Sequence, residues 1–117
     1  MNSDKSKHFI MQLNAQLSGE IFTNSNISLE GVAQRLCLTR GQLNRKVKAI
    51  TGFTTGGYVQ HVRMKKASQL LIEQPERQIN EIAVDCGFEN MSYFVRLFKR
   101  IYNLTPSQYR LEYASNH

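Results

Sequence analysis

Arg45 and Lys48 return 51 positions later as Arg96 and Lys99, and each pair lies in a window that contains no carboxylate. The first window, between Glu30 and Glu73, holds Arg35, Arg40, Arg45, Lys46, Lys48, Arg63, Lys65 and Lys66. The second, between Glu89 and Glu112, holds Arg96, Lys99, Arg100 and Arg110. One run of like charge is the usual mark of a solvated helix face. Two runs at matching places point instead to a polyanion, because neutralising phosphates needs one-signed clustering and solubility does not. The net charge of +6 agrees in sign.

Other chemistry lacks its constellation. His8, His61 and His117 share no metal-ligand spacing, and Cys37 and Cys86 form neither a CxxC nor a Cys/His cluster, so no zinc site, cofactor or activated thiol is expected. Both cysteines read as buried free thiols rather than a disulfide. No apolar run approaches the roughly 20 residues of a membrane span, and the opening MNSDKSKH lacks a signal-peptide core. A cytoplasmic, non-catalytic chain is the expectation.

The matched cations belong to a longer repeat. Leu29, Val32, Ala33 and Leu38 recur 50 residues on as Ile79, Ile82, Ala83 and Phe88. Beyond the turn the offset becomes 51, and Leu43, Val47, Thr54 and Tyr58 return as Phe94, Phe98, Thr105 and Tyr109. A repeat that keeps its apolar positions and takes its insertion in a turn describes two copies of one folded unit. The pattern predicts an all-α fold of about seven helices, with two helix-turn-helix lobes on one long connecting helix. Its parts are an N-terminal helix packing on the first lobe (1–27), the first helix-turn-helix (28–53), the connecting helix (54–74), and the second helix-turn-helix with a C-terminal helix (75–117).

Local signals place the helices. Phe9, Leu13, Leu17 and Ile21 step by four, predicting one helix from about Ser6 to Thr23. Ser28, Thr39, Thr54, Asn90 and Thr105 are suited to N-caps, Gly52 to a stop, and Pro106 to a first helical position. Gln78 is a weaker cap than Ser28. In the third predicted helix Leu43, Val47 and Ile50 point inward, leaving Arg40, Gly41, Gln42, Asn44, Arg45 and Lys48 outside. In the sixth Phe94, Leu97, Phe98 and Ile101 are the inner set, with Met91, Ser92, Val95, Arg96, Lys99 and Arg100 outside.

The second repeat, from Ile79 to Arg110, resembles the signature of the AraC/XylS family of bacterial transcription regulators. The Ile82-Ala83 pair, Gly87-Phe88, Ser92-Tyr93-Phe94, Phe98-Lys99, Thr105-Pro106 and Tyr109-Arg110 carry the likeness. The first repeat is similar through Leu43, Arg45, Lys48, Thr51-Gly52 and Arg63, with Lys66-Ala67 and Leu70-Leu71 on the connecting helix. Arg45-Lys46-Val47-Lys48 is also similar to C-terminal effector domains of hybrid two-component sensor-regulators.

The resemblance implies two recognition helices, about 40–50 and 91–102, in successive major-groove segments of a double-stranded DNA operator. It implies that Gln42, Asn44, Arg45, Met91, Ser92, Val95 and Arg96 face the bases. Arginine suits guanine, and Asn or Gln suits adenine. Arg40, Lys48, Lys99 and Arg100 suit phosphate. RNA polymerase, and a sensor or regulatory domain not encoded here, are the implied further partners. Gly41 offers no side chain where family members often carry a large one. A helical RNA-binding or protein-docking module is the alternative; it predicts exposed apolar surface and indifference to DNA sequence.

Overall fold

The computed structural model describes residues 3–114. Eight α-helices are the regular elements among them: α1 (Ser3–Leu17), α2 (Glu20–Thr23), α3 (Leu29–Arg35), α4 (Arg40–Thr51), α5 (Thr55–Glu73), α6 (Ile79–Asp85), α7 (Met91–Tyr102) and α8 (Pro106–Ala114). The helix beyond the expected seven arises at Gly19, whose φ of 84° breaks the predicted first helix into α1 and α2. The apolar stripe survives the break, since Phe9, Leu13, Leu17 and Ile21 are all buried. The chain divides into two units, Met1–His61 and Val62–His117, with the boundary inside α5.

In the first unit α3 and α4 are each capped at their start. Ser28 Oγ accepts from Gly31 N at 3.1 Å to start α3. Thr39 and Gln42 form a reciprocal box at the start of α4: Thr39 Oγ1 accepts from Gln42 N at 3.1 Å, and Gln42 Oε1 accepts from Thr39 N at 2.9 Å. Cys37 lies between them at φ 60°, and Leu38 N reaches back to Ala33 O at 2.9 Å. Gly52, left-handed at φ 82°, ends α4. Val32, Ala33, Leu43, Val47, Tyr58 and Val59 are buried in this unit beside the α1–α2 stripe. The Tyr58 hydroxyl donates to Asn14 Oδ1 at 2.7 Å and ties α5 to α1.

The second unit repeats the plan with an aromatic interior. Met64, Ala67, Leu71, Ile82, Ala83, Cys86, Phe88, Phe94 and Phe98 form its core. Phe98 is the hub, its ring 5.8 Å from Phe94, 4.6 Å from Tyr102 and 5.2 Å from Tyr109. Asn90 Oδ1 accepts from Tyr93 N at 2.9 Å and caps α7. Gln78 makes no side-chain cap at α6, as its residue type predicts. Thr105 and Gln108 form a second capping box ahead of Pro106 in α8. Ile101, expected inside, is 42% exposed.

Two arginines of the acid-free windows are structural. Arg63 is 2% exposed, and burial lowers its guanidinium pKa against the opposing influence of Tyr93. Arg110 donates to the carbonyls of Leu71 (3.0 Å), Gln74 (3.2 Å) and Arg77 (2.6 Å). It thereby satisfies the Leu71 carbonyl, which the last turn of α5 leaves without a helical partner, and braces the turn that follows through Gln74 and Arg77.

The thiols divide differently from the sequence expectation. Cys86 is buried, and desolvation pushes its thiol up to about 11. Cys37 is exposed, in the turn between α3 and α4 where its φ is 60°. A disulfide-exchange colorimetric reagent at neutral pH should therefore titrate one thiol promptly in the native protein and the second only after denaturation. Prompt reaction of both would contradict this packing.

Candidate nucleic-acid interface

The helices that follow the two turns, α4 and α7, share a feature that α3 and α6 lack. The positioning helices carry an acid in the first turn, Glu30 and Glu81, while α4 and α7 carry none. An acid there favours the helix dipole but repels an approaching phosphate. The caps of α4 and α7, Thr39 and Asn90, are uncharged as well.

On α4, Arg40, Gln42, Arg45 and Lys48 are exposed. The Arg45 guanidinium folds back over Gly41, its Nη1 3.5 Å from where a Cβ on that glycine would stand. On α7, Ser92, Arg96, Lys99 and Arg100 are exposed, and Met91 is 36% exposed. Arg96 Nε donates a long 3.4 Å bond to Ser92 O. Among the described residues no ion pair holds Arg40, Arg45, Lys48, Arg96, Lys99 or Arg100.

Two expected outward residues turn inward. Asn44 is half-buried, and its Oδ1 accepts from the hydroxyl of Thr55 at 2.6 Å. Val95, its counterpart in the repeat, is half-buried and packed on the aromatic core. Both lie one residue beyond a fully buried position, Leu43 or Phe94, at the edge of the inner stripe. The 3.6-residue period leaves such flanking positions ambiguous.

Several other cations are engaged within the protein. Lys46 Nζ stands 4.9 Å from the Phe9 ring centroid, and Arg35 Nε donates to Gln16 Oε1 at 2.8 Å. Arg77 pairs with Asp85 and, at 3.8 Å, with Glu81. Counting charges along the sequence therefore overstates the available set. With Lys46 set aside, six exposed cations remain on α4 and α7, the helices after the turns. Among the described residues no His/Cys/Asp/Glu group could hold a metal, and no helix is long and apolar enough to cross a membrane.

Comparison with known proteins agrees with this geometry. Residues 32–112 match a family described as a helix-turn-helix domain. The chain is 36% identical over 91 residues to histidine kinase P4 of Formosa agariphila, covering 78% of this chain and 7% of that one. It spans 25 to 33% of the length of several transcriptional regulators and activators that it also matches. The C-terminal domain of the two-component response regulator yesN from Fusobacterium nucleatum subsp. nucleatum superposes with a TM-score of 0.74 at 33% identity, covering 89% of this chain and 98% of that one. An AraC-type transcriptional regulator from Chromobacterium violaceum gives 0.74 at 25% identity, covering 91% and 95%. With the repeat, the two capped helices after their turns and the family match all in agreement, the chain belongs to the AraC/XylS family of helix-turn-helix, DNA-binding transcription regulators.

Proposed function

We propose that this chain is the non-catalytic DNA-reading part of a longer cytoplasmic regulator, with α4 and α7 entering successive major-groove segments of one operator. The observation that carries this reading is the matched set of exposed cations on two helices without first-turn acids. Arg45 and Arg96 each donate two hydrogen bonds to a guanine edge, while Ser92 and Met91 meet neighbouring bases. Val95 meets a base only through its exposed fraction. Arg40, Lys48, Lys99 and Arg100 hold the phosphates. The likeness to a histidine kinase and to a response-regulator C-terminal domain supports a two-component parent. Its sensor part would supply the input, and RNA polymerase would receive the output.

The test is a comparison of two kinds of cation. Arg45→Ala and Arg96→Ala should each weaken binding to a selected duplex by about 1 to 3 kcal/mol and relax preference at one base pair. Lys48→Ala should weaken selected and scrambled duplexes alike and reduce the salt slope by about one. Gel-shift titration with a thermal melt of each variant separates the two. Arginine variants that melt normally and keep full discrimination would overturn the reading.

A further inference from the structure

The first reading helix was expected to hold two amides able to recognise adenine, and the structure commits both elsewhere. Recognition of adenine by an amide side chain requires its oxygen and nitrogen together on the base edge, oxygen accepting from N6 and nitrogen donating to N7. Gln42 Oε1 is turned back to Thr39 N at 2.9 Å as half of the capping box. Asn44 Oδ1 holds the Thr55 hydroxyl at 2.6 Å, and Thr55 is fully buried. Swinging Asn44 outward would orphan that hydroxyl in the interior.

The repeat gives an independent view of the same two positions. Where the first unit has Asn44 and Thr55, the second has Val95 and Pro106, half-buried and buried. These slots hold an apolar pair in one copy and a hydrogen-bonded polar pair in the other. Asn44 therefore occupies an interior slot. Gln42 stands where the second unit has Tyr93, so the box it forms is particular to the first copy. Of the three residues expected at bases on α4, only Arg45 has the same residue type in the second copy, Arg96, and Gly41 leaves room for its guanidinium near the start of α4.

Resting on the DNA-reading role above, we infer that the first helix-turn-helix contains no adenine reader: it recognises one guanine through Arg45, while Gln42 and Asn44 are positioning residues that hold α4 in place. The half-site under α4 is then defined by a single G·C pair, and the remaining discrimination sits under α7.

The experiment selects duplexes from a random library with the wild-type chain, then replaces each purine singly by its analogue lacking N7. Half-sites are assigned by which losses vanish in Arg45→Ala and which in Arg96→Ala. In the Arg45 half-site one guanine replacement should lower affinity about tenfold, and no adenine replacement should lower it more than about twofold. The doubly substituted Asn44→Val, Thr55→Val chain keeps the interior pair apolar, as in the second unit. Gln42→Glu keeps an acceptor for Thr39 N and removes the amide donors. Both should retain the wild-type base preference even where overall affinity falls. An adenine N7 requirement in that half-site that disappears in either variant would overturn the inference and leave the DNA-reading role intact. Failure to enrich any sequence would remove both.

Discussion

Raising the salt from about 50 to about 200 mM should weaken binding of this chain to its selected duplex by about 150- to 2,000-fold. The range follows from the exposed cations of α4 and α7 other than Lys46. If all six of Arg40, Arg45, Lys48, Arg96, Lys99 and Arg100 neutralise phosphates, the slope of log K against log salt is about −5.4; if the two matched arginines go to bases, it is about −3.6. Counting every cation of the acid-free windows would give a much steeper line. Arg63 and Arg110, however, are held inside the second unit, and Lys46 sits over Phe9. Fluorescence anisotropy across a salt series reads the slope directly. A value shallower than about −2 would point to a protein-docking module rather than a DNA reader.

The largest effect on the fold is expected at Phe98. Its ring is fully buried and touches Phe94, Tyr102 and Tyr109, so it joins α7 to α8. Phe98→Ala should cost about 3 to 5 kcal/mol, the transfer of the ring plus the cavity left behind. Against a total stability of about 5 to 15 kcal/mol for a domain, that is enough to unfold much of the second unit near physiological temperature. Urea denaturation measures it, and Phe98→Leu should recover part of the loss. A loss under about 1 kcal/mol would mean that the aromatic cluster is not the support of α7.

Features that depend on a few consecutive residues were legible in the sequence. Ser28, Thr39, Asn90 and Thr105 cap where their types predict, because a short side-chain oxygen reaching an N–H three residues on is a local matter. The break at Gly19 was not, since Phe9, Leu13, Leu17 and Ile21 keep their four-residue step through it. Interior cations were hidden for a different reason. Arg110 acts on carbonyls 33 to 39 residues earlier in the chain, which no local pattern encodes. The site was half legible: the exposed arginines follow from the helical period. The engagement of Asn44 depends on Thr55, which the period alone places in no contact with it. The clue was the repeat itself, in which Val95 marks the slot as apolar in the other copy.

The carbonyl contacts of Arg110 bear on where a minimal fragment can end. Every residue offered here to DNA lies at or before Arg100, so a chain truncated after α7 keeps the whole reading surface on paper. It also discards the donor that holds Leu71 at the end of α5 and Gln74 and Arg77 in the turn after it, and with it Tyr109, whose ring lies edge-on to Phe98 at 5.2 Å. The last helix is a keystone rather than a tail: it carries none of the residues assigned to base contact, yet the shortest autonomous second lobe must contain it.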